Sequence, residues 1–133
     1  MPYQFRQTGQ EIQDILDQVG ENTTDIAQLS TVQTLTVTLG SGFTGTVQAL
    51  KVGRLVMVSY IGDVGSMTAW KDIVICDLPS NIKAITDCYS VSMSNEGKPL
   101  VVEIYRNGTS VVARSLGQTH GGQLRGTLWF LTA

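Results

Sequence analysis

The stretch TGQEIQDILDQVGENTTDIAQLSTVQTL, residues 8–35, decides how the chain is organised. Apolar residues recur there in a three-then-four rhythm. Ile12, Val19 and Ile26 take the a positions of a heptad, and Ile15, Asn22 and Leu29 the d positions. A single helix with so narrow an apolar stripe gains little in water, whereas several copies wound together bury it. Isoleucine at both a and d shifts the preference from dimers towards higher oligomers. The spacing therefore predicts an oligomer, with three chains expected.

Thr8-Gly9-Gln10-Glu11 has the form of a capping box and marks the helix start. Gly20 weakens the interior by roughly 1 kcal/mol relative to alanine. Asn22 is also able to cap a second helix, with Asp25 at its third position. Two short helices are thus the rival of one continuous stem. The heptad phase passes through Gly20 without a slip, which favours the continuous coiled coil. Ahead of it, residues 1–7 read as an extended arm in which Tyr3 and Phe5 alternate with polar residues.

With 133 residues, the chain has room for one domain and an appendage. Fourteen glycines against 3 prolines suit the many turns of an all-β body. The 9 basic and 11 acidic residues do not cluster, so no basic patch offers itself to phosphates and no nucleic-acid partner is expected. No apolar run reaches the roughly 18 residues of a membrane span, so no membrane insertion is expected. The first eleven residues lack the apolar core of a signal peptide, which predicts synthesis in a cytoplasm. Cys76 and Cys88 have no spacing of a zinc site and read as buried strand thiols, with a disulfide as the other reading.

From Thr34 the period changes to two. Leu35, Val37 and Leu39 alternate with Thr34, Thr36 and Thr38, and Gly40-Ser41-Gly42 then breaks the run. Further strands are predicted at 45–52, 54–61, 69–76, 87–94, 100–106, 109–116 and 123–132. Asn107-Gly108 reads as a two-residue hairpin turn, residues 94–98 as a longer hairpin loop, and residues 78–81 as a crossing loop. The expected architecture is mainly β: an antiparallel β-sandwich or jelly-roll head over residues 36–133, preceded by an arm and helical trimerisation stem over residues 1–35.

A sandwich strand normally needs one apolar face. Here several strands have two. Leu55, Met57 and Ile61 oppose Val56, Val58 and Tyr60; Leu124, Leu128 and Phe130 oppose Trp129 and Leu131; Leu100, Val102 and Ile104 oppose Val101 and Tyr105. One small core cannot use both sides, so the second face is expected to meet sister subunits. Stem and body then call for a homotrimer independently.

Two resemblances follow from these motifs. Val19-x-x-Asn22-Thr23-x-x-Ile26 resembles the Val-x-x-Asn-Thr-x-x-Ile signature of trimeric autotransporter stalks and some phage fibres. That resemblance implies Asn22 amides pointing at the trimer axis around an anion or water. Val52-Gly53-Arg54-Leu55-Val56-Met57-Val58-Ser59, Asp77-Leu78-Pro79 and Glu103-Ile104-Tyr105-Arg106-Asn107-Gly108 resemble a pattern of bacteriophage tail and baseplate tips. The Gly-Tyr-x-Pro continuation often seen after the Leu-Pro loop is absent here. This second resemblance implies a trimeric β-sandwich on a short helical stem, located in the virion after synthesis in a bacterial cytoplasm. It also implies docking of the arm on other virion proteins and binding of a host-surface glycan.

Catalytic chemistry is hard to find. His120 stands alone among glycines without an orienting partner and reads as a solvated loop residue, or else as a ligand contact at a loop tip. No enzyme activity and no resident cofactor are expected. Saccharide sites pair an aromatic platform with planar polar groups on loops of a rigid scaffold. The candidates are Asp63 and Trp70 in and after the 62–69 loop, and Gln118 and His120 in the 117–122 loop. Trp70, at a strand start, reads first as a core or interface packing residue, and Asp63 first as a turn residue, with ligand contact the second reading of each. The expected function is that of a trimeric fibre or baseplate tip. Rivals are a capsid head fibre or decoration protein of the same architecture, an extracellular signalling-type trimeric jelly roll, and, most remotely, a polysaccharide hydrolase built on His120.

Overall fold

The computed structural model describes residues 9–117 and 120–133, the side chains of residues 24–30 and 120 excepted. It divides into a helical unit ending at Thr31 and a β unit from Val32 to Ala133. The arm and Thr8 of the capping box lie outside the described residues.

Helix α1 (Gly9–Ser30) runs unbroken through Gly20, so the two-helix alternative does not form. Gln10 donates to Asp14, Gln13 to Asp17 and Gln18 to Asn22, each four residues on, at 2.8–2.9 Å. Ile12, Ile15, Leu16 and Val19 are exposed on the helix. The seam positions Ile26 and Leu29 fall among the side chains not described. Among the described residues no helix is long and apolar enough to cross a membrane.

Among the described residues the β unit has nine strands, all paired antiparallel: β1 (Gln33–Leu35), β2 (Thr38–Leu39), β3 (Thr44–Val52), β4 (Leu55–Met67), β5 (Asp72–Asp77), β6 (Cys88–Met93), β7 (Pro99–Ile104), β8 (Ser110–Ser115) and β9 (His120–Leu131). One sheet has the order β1-β3-β4-β9 and the other β2-β5-β8-β7-β6. In the second, β6, β7 and β8 form a meander and β5 returns beside β8, which is a Greek key. The expected mainly β, antiparallel body is therefore present.

Period-2 patterning sorts the faces. Val56 and Val58 on β4 pair with Phe130 and Leu128 on β9, and all four are buried. From the other sheet come Leu100, Val102, Ile104, Val111 and Ala113. A register shift between Val74 and Cys76 turns both Ile75 and Cys76 inward. Both cysteines are free thiols; Cys76 is buried and Cys88 half-buried. Among the described residues the Tyr60 hydroxyl is the one buried side-chain polar atom without a hydrogen bond. Burial pushes its pKa up, and the nearby Ser92 and Ser90 hydroxyls hold the rise back without reaching bonding geometry.

Several expected boundaries are corrected. The single strand at 34–39 is two, because Thr36 and Val37 carry the chain from one sheet to the other; Gln33–Leu35 pairs with β3 in the body. Asn107-Gly108 is not a two-residue hairpin. The Gly108 N–H closes a four-residue turn on the Tyr105 carbonyl at 2.8 Å, with Asn107 left-handed at φ 61°. The Asn107 N–H donates to the Ala84 carbonyl and the Ala84 N–H to the Gly108 carbonyl, so the 78–87 crossing segment holds this turn open. The largest difference is in residues 62–69, which continue β4 to Met67 with a bulge between Asp63 and Ser66.

Candidate functional site

The long β4–β9 pair carries the site to one end of the sandwich. Beyond Asp63↔Gln123 the bulge absorbs extra residues, and pairing resumes as Ser66↔Gly121 and Met67↔His120. Asp63 Oδ1 accepts the Gly65 N–H at 2.6 Å, so Asp63 does act as a turn residue, inside the bulge. The chain then turns through residues 68–71, closed by the Lys71 N–H on the Thr68 carbonyl at 3.2 Å.

Trp70 occupies the third position of that turn with φ 63°, a place where glycine or asparagine is the usual residue. Its N–H donates to the Ser115 carbonyl at 3.1 Å, which ties the turn to β8. Its indole lies against Gly117, in the segment leading to β9. The side chain is nonetheless 65% exposed. Trp70 is therefore not part of the protomer's core: it stands before the strand, on a left-handed turn, and is largely exposed in the single chain.

The structure brings the two predicted loops together, since Trp70 touches Gly117 and Met67 pairs with His120. Asp63 lies farther back along the same strand pair. His120 begins β9, with its side chain outside the description, and Gln118 lies outside the described residues altogether.

Beside this end, where β6 approaches β9, a groove of about 340 Å³ opens. Ile61, Met93, Asn95, Gln123 and Arg125 line it. Asn95 is fixed there: its N–H donates to the Gln123 carbonyl at 3.0 Å and its Oδ1 accepts the Gln123 N–H at 3.1 Å. Gly122, at φ 106°, permits this approach, because a Cβ there would meet Asn95 Oδ1 at 2.0 Å. None of Asn95, Gln123 and Arg125 stands out in the sequence. The usable signal is Arg125, a charge in an otherwise uncharged strand.

A polar cluster covers part of the other sheet's outer face. Arg114 Nε donates to Asp72 Oδ1 at 2.8 Å, and its Nη2 lies 3.3 Å from Glu103 Oε1. The Tyr105 hydroxyl faces Glu103 at 2.8 Å and Asp72 at 3.1 Å, and Arg114 Nη2 donates to it. Desolvation and the two carboxylates push the Tyr105 hydroxyl up to about 12, and Asp72 raises the pKa of Arg114. A phenol so shifted is a poor nucleophile, and the charges satisfy one another, so the cluster serves as a surface brace. Among the described residues no group of three or more His, Cys, Asp and Glu is placed to hold a metal ion.

The outer faces also expose apolar side chains. In register across one sheet stand Leu50, Met57 and Trp129, followed by Val52, Leu55 and Leu131, and Val32 adjoins them. On β6 of the other sheet Tyr89, Val91 and Met93 all face outward. No protein-family model matches the chain, and no curated protein matches it significantly.

Proposed function

We propose that this chain is a virion structural protein, the tip of a trimeric fibre or baseplate whose β body binds a saccharide on the host surface. The single observation that carries the binding role is Trp70. A non-glycine residue in the left-handed region costs about 1–2 kcal/mol, and an indole left 65% exposed recovers little of that by burial. A flat aromatic face presented on a fixed turn is what the CH face of a sugar ring stacks on. The virion setting rests on the resemblance of residues 52–59, 77–79 and 103–108 to phage tip domains.

The trimer is supported by the exposed seam of α1 and by the apolar outer faces of the body. In the coiled coil Asn22 would face the axis around an anion or water, and the arm with Tyr3 and Phe5 would dock on other virion proteins. Three weak sites per trimer and many trimers per particle convert poor single-site affinity into avidity. A glycan array probed with wild type and Trp70→Ala tests the reading. Specific glycans should bind the wild type and lose at least tenfold in the variant. No binding by a folded trimer, together with unchanged phage adsorption after deletion of the β body, would remove the receptor role.

A further inference from the structure

Resting on that saccharide reading, we infer that the groove between β6 and β9 takes an anionic sugar unit, with Arg125 gripping the anion. The groove's volume lies at the lower end of the range for small-ligand sites. Its polar side chains offer more free donors than free acceptors. Among the described residues nothing accepts from the Arg125 guanidinium, and Asn95 spends its Oδ1 on the Gln123 N–H, leaving its amide N–H groups unengaged. The Gln123 side chain likewise has no partner among the described residues. A lining richer in donors than in acceptors, with the Arg125 cation among them, calls for a ligand that brings acceptors and negative charge.

Nearby charges narrow the ligand further. Asp63 shares this outer face, in register with Gln123, and alone would repel an anion. One of its oxygens is held by the Gly65 N–H, and the other remains to accept from a hydroxyl. Glu96 and Lys98 on the adjoining hairpin loop pair with each other at 3.6 Å. Ile61 and Met93 supply apolar walls, both more than half exposed. Cation, hydroxyl acceptor and apolar walls together fit a ring that carries both hydroxyls and an anionic group. A bare anion uses only Arg125. Carboxylate and phosphate share this chemistry.

Calorimetry on the full chain tests the inference with hexagalacturonate, mannopentaose 6-phosphate, maltohexaose and inorganic phosphate. At least one charged oligosaccharide should bind tenfold or more tighter than maltohexaose. Arg125→Gln should lose about tenfold or more of that affinity, and Arg125→Lys should recover part of it. The tighter of the two charged probes identifies carboxylate or phosphate. Equal binding of maltohexaose, insensitivity to Arg125→Gln in a variant with unchanged circular dichroism, or equally tight inorganic phosphate overturns it. Neutral binding that vanishes in Trp70→Ala would leave the saccharide reading standing while the anionic inference falls. Binding of none of the four, with a blank glycan array, would take both.

Discussion

Trp70 separates stability from function at a single residue. Its left-handed turn position suits glycine, so Trp70→Gly relieves local strain and gives up the packing of a largely exposed indole near Gly117. Denaturant unfolding should show stability unchanged or raised by up to about 1 kcal/mol, while glycan binding disappears; a large loss of stability would mean that the indole is a packing element after all. Tyr60 makes the converse case. Its hydroxyl is buried without a hydrogen bond, so Tyr60→Phe removes a desolvated group and nothing that it holds. The variant should unfold at equal or slightly higher denaturant, by about 0–1 kcal/mol, and a clear destabilisation would reveal a bond to Ser90 or Ser92. Cys76 provides a pH signature. Burial, and then the charge of Asp77, push its thiol up to about 12 from 9.0. A raised pKa means that the fold favours the neutral thiol. The associated stability is therefore complete below pH 9 and is lost as pH rises from 9 towards 12. Thermal melts should decline across that window, and less steeply in Cys76→Ala.

At the scale of elements, long periodic patterns were legible and long-range consequences were not. The helix runs unbroken through Gly20, as the continuous periodicity of residues 12–29 suggested. The inward sets Val56, Val58, Tyr60 and Leu124, Leu128, Phe130 follow from alternation alone. What alternation could not reveal was where partners impose a bulge or a crossing. Residues 62–69 look like a loop because of Gly62 and Gly65, yet pairing with β9 carries the strand on to Met67. Likewise Thr36 and Val37 read as strand but bridge two sheets. The same limit applied to the site. Trp70 and Asp63 were visible as residue types in turn-rich sequence, whereas Arg125 and Asn95 meet only because β6 and β9, distant in sequence, lie side by side. The stem carries its own prediction. A buried d-position asparagine fixes strand number at a cost in stability. Asn22→Ile should therefore raise the melting temperature of the oligomer while loosening its stoichiometry in sedimentation; lower stability with an intact trimer would contradict an inward-facing Asn22.

For the whole molecule, the arrangement of exposed apolar side chains bears on how copies would meet. A twofold dimer buries the same patch on both partners, whereas a closed ring joins two different patches on each subunit. The β unit has two such patches on different sheets: the face around Leu55, Met57 and Trp129, and the β6 pair Tyr89 and Val91. Two unlike patches match the threefold ring that the heptad seam calls for independently. Light scattering should return the mass of three 14.4 kDa chains. Trp129 is 54% exposed and Val91 66% exposed in the single chain. In a monomer, replacing either with glutamate would change stability by no more than about 0.5 kcal/mol, the usual scale for surface sites. If the patches meet, each charge is buried against oil in every interface of the ring. Trp129→Glu and Val91→Glu should then each lower the melting temperature by several degrees and shift the mass towards that of one chain, although the two positions lie on different sheets. A wild-type monomer, or variants that melt and scatter like the wild type, would leave these faces as ordinary wet surface and the ring without a joint.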